Sequence, residues 1–130
     1  MKEENTTPTP TVDKTVANAI AQSEKNNNHC QISSGVVIRC DTPQIEAIVL
    51  RSFSIQLLPE DGGFIATSNI STIYEPGATR SDAVHNYLYS LVDELIWLEE
   101  EKENLTGTIL DELHQIKTHF NQEEFEKLCK

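Results

Sequence analysis

The stretch from Arg80 to about Asn104 most constrains the fold, because it contains neither proline nor glycine and its apolar residues repeat with a helical period. One set of apolar residues recurs three or four positions apart and forms a stripe along a helix: Val84, Tyr87, Leu88, Leu91, Leu95 and Leu98. A second stripe beside it consists of Tyr89, Val92 and Ile96. A helix with two apolar stripes needs two apolar neighbours. The sequence therefore predicts a sheet on one side of this helix and another helix on the other.

The start of this helix and its helical neighbour are also marked in the sequence. Thr79 followed by Asp82 is typical of a helix N-cap. Further on, four apolar residues are spaced as on one helix face: Ile109, Leu113, Ile116 and Phe120. Thr108 predicts the N-cap of this second helix, and "ENLTG" predicts the reversal between the two. Phe125 and Leu128 either continue the second helix or form a short last one. We therefore expect a helical hairpin.

The segment "LLPEDGGFIATS" (57–68) predicts a β-hairpin. Asp61-Gly62 is the signature of a type I′ turn, and it sets a register in which Leu57 faces Ala66. One face is then mostly apolar and carries Phe53, Ile55, Leu57 and Ile70. The other face is mostly polar, except that Leu58 lies opposite Ile65. A shift by one residue would reverse the faces, so burial fixes the register. We interpret the loop as a turn rather than a metal site.

These elements place the chain in the α+β class. A β-branched run at 34–40, an extended segment from about Ile45 and the hairpin predict a small antiparallel sheet of three or four strands. This sheet packs against the long helix, and the second helix completes an α-hairpin. Residues 1–31 are polar and rich in Thr, Pro and Asn, which predicts a flexible tail. Residues 32–130 are expected to form a single domain.

The charge of the chain restricts its partners. The formal net charge is −11 and the isoelectric point is about 4.6. Nucleic acids and anionic membranes both select for clustered Lys and Arg, so we expect neither as a partner. A basic protein partner fits, because opposite charge steers association. The N-terminus "MKEENTTPTPT" does not resemble a signal peptide, which favours a cytoplasmic protein.

The sequence offers few groups for catalysis. The histidines show no paired metal-ligand spacing, since His114 and His119 are five residues apart on a predicted helix and do not share a face. The cysteines Cys30, Cys40 and Cys129 are widely spaced and form no CxxC pair, which favours free thiols in a reducing compartment. No Ser-His-Asp set has a recognisable context. We therefore expect no enzymatic activity, no metal and no cofactor.

Two sets of residues are candidates for partner binding. Trp97 is the only tryptophan and precedes an acidic run that includes Glu99, Glu100 and Glu101. This set is either a docking surface for a basic partner or a solvated helix face beside a covered tryptophan. Leu58 and Ile65 form an apolar pair on a polar sheet face, which makes them a candidate contact in a homodimer.

Residues 46–98 resemble the HicB-like antitoxin fold. The resemblance rests on the turn Asp61-Gly62-Gly63 with Phe64 after it, and on the helix start Gly77-Ala78-Thr79 followed by Asp82 and Ala83. Two features differ from that family. "TSNIST" replaces an aromatic-Pro-Asp-x-Pro-Gly stretch, and no DNA-binding segment is evident at the C-terminal end.

The resemblance implies a non-enzymatic protein-binding module that masks or inhibits a basic partner, such as a toxin. The alternative is a dimeric adaptor or assembly factor that binds a peptide segment of a larger protein complex.

Overall fold

The computed structural model describes residues 14–41 and 44–120. In chain order the helices are α1 (Lys14–Ser23), α2 (Arg80–Glu100) and α3 (Gly107–Lys117), with a short 3-10 turn at Lys102–Asn104. The strands are β1 (His29–Ile32), β2 (Val37–Asp41), β3 (Gln44–Ile48), β4 (Phe53–Glu60), β5 (Gly63–Thr67) and β6 (Tyr74–Gly77).

The strands form two antiparallel sheets. Four of them pair in the order β1-β4-β5-β6, and β2 pairs with β3 in a separate two-stranded sheet. The expected α+β class, with a small antiparallel sheet, a long helix and a second helix after it, is confirmed. The separate β2–β3 sheet was not expected.

Helix α2 packs against one face of the four-stranded sheet, and the main core lies between them. The predicted stripe from Val84 to Leu98 is buried in full, and α3 packs on α2 through Leu113 and Ile116. Ile109 is 49% exposed, so the buried face of α3 begins one turn later than expected. Phe120 lies beyond the end of α3 but is buried, and it forms an isolated bridge with Val49.

The caps of the two long helices differ in how well they were predicted. The Thr79 hydroxyl accepts a hydrogen bond from the Asp82 amide at 3.0 Å, as expected of an N-cap. The N-cap of α3 is Thr106 rather than Thr108. Gly107, the first residue of α3, has a φ of +62°.

The hairpin register is confirmed, because Leu57 pairs with Ala66, Leu58 with Ile65 and Glu60 with Gly63. The turn differs from type I′, since Gly62 has a φ of +77° but Asp61 does not have a positive φ. Only the second central residue thus occupies the left-handed region, as in a type II turn.

Beyond Thr67 the expected pairing to Ile70 does not form. Phe53 and Ile55 pair instead with Ile32 and Cys30 of β1. The chain leaves the sheet after Thr67, and the Ser68 and Ser71 hydroxyls both hydrogen-bond the buried Tyr87 hydroxyl.

The structure includes residues of the expected tail in the folded domain. Helix α1 lies before residue 32 and strand β1 begins at His29, and Val16, Ile20 and Cys30 are buried. The Arg80 guanidinium lies 4.7 Å from the Phe64 ring centroid and donates a 3.1 Å hydrogen bond to Ser23, which ties α1 to the start of α2. The boundary expected at residue 31 is therefore too late. Residues 1–13 lie outside the described part of the chain.

Candidate functional site

The predicted site residues lie on two separate surfaces and in one buried contact. Trp97, Glu100 and Glu101 lie at the end of α2. Leu58 and Ile65 lie in the four-stranded sheet, on the face opposite to α2. Glu99 belongs to neither surface, because it is buried.

The expectation that Glu99 forms part of an exposed acidic patch is wrong. Its side chain is only 1% exposed, and its carboxylate lies 2.9 Å from the Lys102 ammonium and 3.0 Å from the Lys117 ammonium. Burial alone raises the pKa of Glu99. The hydrogen bonds and positive charges of the two lysines outweigh burial, so this pKa lies below its ordinary value. Glu99 joins α2 to α3 and is not available to a partner.

Trp97 is exposed over 51% of its surface. It lies outside the stripe of α2 that faces the core, since Leu95 and Leu98 fill that stripe. A tryptophan left half in solvent on a rigid helix is the type of side chain that anchors protein interfaces.

Four carboxylates lie near Trp97, three of them on α2 and one at its C-cap. Asp93 and Glu94 lie four and three residues before it, and Glu100 and Glu101 lie three and four residues after it. Residues at these spacings are neighbours on a helix surface. Asp93 and Glu100 are exposed, whereas Glu94 and Glu101 are half-buried. We call Trp97 with these four residues the Trp97 surface.

Glu94 is the carboxylate of the Trp97 surface that interacts electrostatically with Glu112 of α3. Burial and the negative charges of Glu112 and Asp93 raise the pKa of Glu94. The Glu112 carboxylate is itself fixed, because it accepts hydrogen bonds from the amide of Thr72 at 3.0 Å and from its hydroxyl at 3.2 Å. The Trp97 surface thus carries closely spaced negative charge that a cation would relieve.

The second surface is the outer face of the four-stranded sheet. Leu58, Ile65 and Pro76 lie side by side across β4, β5 and β6. Tyr74 is on the same face and is 68% exposed. The hairpin register predicts Leu58 and Ile65 on this face, but it does not predict Pro76 and Tyr74. A predicted pairing of β6 with β5 would have placed them there.

The residues that carry the HicB-like resemblance form a turn and a close contact. A Cβ atom on Gly63 would overlap the Gly77 carbonyl, and one on Gly77 would overlap the Ala83 amide nitrogen. An open groove of about 390 Å³ beside them is lined by Glu60, Asp61 and the backbone of both glycines. These glycines bring β5, β6 and the start of α2 together.

Other groups that could carry chemistry are few in the described residues. Cys30 is buried, and burial raises its pKa to about 11, so its thiol stays protonated at neutral pH. Over residues 14–41 and 44–120, no three His, Cys, Asp or Glu residues lie close enough to hold a metal ion. None of the described helices is both long enough and apolar enough to cross a bilayer.

Comparisons with protein-family models, curated proteins and solved structures return no match to this chain. The resemblance to the HicB-like fold therefore stays a prediction.

Proposed function

We propose that this chain is a non-enzymatic protein-binding module that binds a basic partner protein through the Trp97 surface. The observation that carries the proposal is a half-exposed tryptophan with four carboxylates at neighbouring positions, three of them on α2 and one at its C-cap. The tryptophan supplies an apolar anchor, and the carboxylates favour basic side chains beside that anchor in the partner.

The physical chemistry of this surface favours a partner segment with Arg or Lys beside an apolar group. A guanidinium over the face of Trp97 gains about 0.5–1 kcal/mol at an exposed site. Each carboxylate can pair with a further cation, although an exposed pair contributes only about 0.2–1 kcal/mol. The charge of −11 acts at longer range and raises the association rate. The carboxylates therefore govern association, and Trp97 governs dissociation.

The first partner class to test is a small basic toxin, which the chain would mask in a stoichiometric complex. The HicB-like resemblance and the acidic charge support this choice. The glycines and the cap that carry the resemblance have structural roles here, so the resemblance adds no residue to the Trp97 surface.

A second candidate function is a dimeric adaptor that accepts an extended peptide. Strand β1 lies at the edge of the sheet and has β4 as its single described strand neighbour. A peptide that adds to β1 would bind through main-chain hydrogen bonds, so its affinity would not depend on Trp97. The two functions are thus distinguished by the effect of Trp97 substitution.

The test begins with affinity capture from the native cell and mass spectrometry, followed by kinetic measurements on the captured partner. Trp97→Ala should speed dissociation by at least about tenfold, as expected of an interface hot spot. The double substitution Glu100→Gln with Glu101→Gln should slow association and reduce its dependence on salt.

Tyr74→Ala is the matched control, since it removes another exposed aromatic side chain from the opposite face of the sheet. If Tyr74→Ala weakens binding as much as Trp97→Ala does, or if neither the Trp97 nor the glutamate variants change the rates by twofold, the binding surface lies elsewhere.

A further inference from the structure

The outer face of the four-stranded sheet differs in charge from the rest of the chain. Directly opposed residues of an antiparallel pair project to the same face. One row across the sheet is therefore His29, Gln56, Thr67 and Tyr74, and the next is Leu58, Ile65 and Pro76. Among the strand residues that project from this face, only Glu60 at the end of β4 carries a full charge at neutral pH. By contrast, 24% of the whole chain is charged.

The apolar part of this face is open to solvent. Leu58 is 40% exposed and Tyr74 is 68% exposed, while Ile65 between them is half-buried. The alternate residues of the same strands point the other way and are buried under the helices, among them Cys30, Leu57 and Ala66. No helix of the described chain packs on the outer face.

We infer that the outer sheet face is a self-association surface, on which two copies of this chain stack sheet against sheet. Two chains of net charge −11 repel each other wherever acidic surfaces meet. The outer face is the place where two copies can approach with little repulsion. A twofold axis would bring the Leu58–Ile65–Pro76 row of one copy against the same row of the other, because such an interface uses one patch twice.

Charge also argues against the basic partner as the occupant of this face. A basic surface placed here would meet a single carboxylate, that of Glu60, and would leave its other cations unpaired. The Trp97 surface offers several carboxylates. Depletion of charge together with an exposed aromatic is typical of the centre of an interface.

The size of the face sets the strength of the contact. Four strands about 4.8 Å apart, with about five residues each at about 3.3 Å, span about 15–20 Å in each direction. That corresponds to about 225–400 Å² per copy, which is less than the roughly 800 Å² of a standard interface. We therefore expect a weak dimer that is populated only at high protein concentration.

The effect of salt distinguishes self-association at the outer face from binding of a basic partner. Raising the ionic strength from about 0.1 M to about 1 M shortens the screening length from about 10 Å to about 3 Å. The repulsion between two acidic copies is then screened, so self-association should strengthen at high salt. Binding of a basic partner at the Trp97 surface should weaken under the same change.

The test is sedimentation equilibrium of the full chain from about 10 µM to about 500 µM at both ionic strengths. We expect a monomer–dimer equilibrium that shifts toward dimer at about 1 M salt. Leu58→Lys and Tyr74→Lys place like charges in the contact and should each raise the Kd by at least about tenfold. Both substituted residues are exposed, so we expect the variants to keep the fold, and circular dichroism checks this.

Ile109→Lys is the matched control, because it adds the same charge at an exposed apolar residue of α3. It should leave self-association unchanged, as should Trp97→Ala, so failure here is separable from failure of the proposed function. A monomer at every concentration and salt would overturn the inference. So would a dimer that survives Leu58→Lys and Tyr74→Lys together, or one that forms only after deletion of residues 1–13 or 121–130.

Discussion

A side chain at Gly77 would have no room, because its Cβ would overlap the Ala83 amide nitrogen of α2. Gly62 is different. Its φ of +77° favours glycine, but a Cβ there would meet no atom within 4 Å. These two of the three glycines in the HicB-like pattern are thus needed for separate reasons, namely close packing at Gly77 and backbone conformation at Gly62.

This difference predicts unequal costs for the same substitution. Gly62→Ala should lower the free energy of unfolding by about 1–2 kcal/mol, the cost of a left-handed residue with a side chain. Gly77→Ala should cost about 3 kcal/mol or more, since strand β6 and helix α2 must separate to fit the methyl group. Urea denaturation of both variants measures this, and equal costs would contradict the close contact at Gly77.

The buried Glu99 carboxylate should stabilise the fold by an amount that depends on pH. Glu99→Gln leaves the lysines without their carboxylate, so we expect a loss of about 1.5–3 kcal/mol at neutral pH. Because the folded pKa of Glu99 is lowered, its contribution is present above the ordinary value of 4.5 and is lost as the pH falls through the folded pKa. The difference between the wild type and the variant should therefore shrink in acid.

Glu100→Gln is the control for that experiment, since Glu100 is the neighbouring glutamate and is exposed. A surface substitution of this kind should change the stability by no more than about 0.5 kcal/mol. If Glu100→Gln costs as much as Glu99→Gln, or if the Glu99→Gln deficit does not change with pH, the buried ion pairs are not the source of the effect.

At the scale of elements, the sequence predicted the parts of the fold that depend on local patterns. The stripe of α2 repeats within a single helix, and the hairpin register follows from a short turn between adjacent strands. In each case the residues that form the pattern lie within a few positions of one another, so the pattern can be recognised without knowledge of the rest of the molecule.

The elements that were missed depend on distant contacts. Strand β1 presents only Cys30 and Ile32 to the core, and its partner is β4, which follows it after the β2–β3 sheet. Helix α1 buries Val16 and Ile20 among polar residues. In both cases the apolar pattern is too short to be distinguished from a tail.

Helix α1 should therefore contribute measurably to stability. Ile20→Ala removes a buried side chain and should lower the free energy of unfolding by about 2 kcal/mol. Gln22→Ala, on the exposed side of the same helix, is the control and should have little effect. A thermal melt in which Ile20→Ala behaves like Gln22→Ala would mean that residues before β1 are not part of the core.

The candidate site could be predicted only in part, because some of its residues are brought together by contacts between distant elements. The sequence singled out Trp97 and its acidic neighbours from composition alone, and the structure leaves Trp97 half in solvent. It could not separate Glu99 from Glu100, because Lys117, which contacts Glu99, belongs to the next helix. Only Leu58 and Ile65 of the outer sheet face could be predicted, because Tyr74 and Pro76 join this face through the pairing of β6 with β5.

At the scale of the whole molecule, the two surfaces lie on opposite sides of the four-stranded sheet. Helix α2 covers the inner face and carries the Trp97 surface on its solvent side, while the Leu58–Ile65–Pro76 row lies on the outer face. One surface is acidic and the other is almost uncharged. This separation would allow a dimer to present two Trp97 surfaces that do not interfere with each other.

The central claim, that the partner binds over Trp97, is tested most directly by the fluorescence of this residue. Trp97 is the single tryptophan of the chain, so its emission reports on this surface alone. The captured partner is titrated into the wild type and into Trp97→Phe, and the difference between them removes the emission of the partner. We predict a shift to shorter wavelength that saturates with the complex, because binding removes water from the indole ring. A saturated complex, established independently by sedimentation, in which the emission of Trp97 is unchanged would contradict the claim.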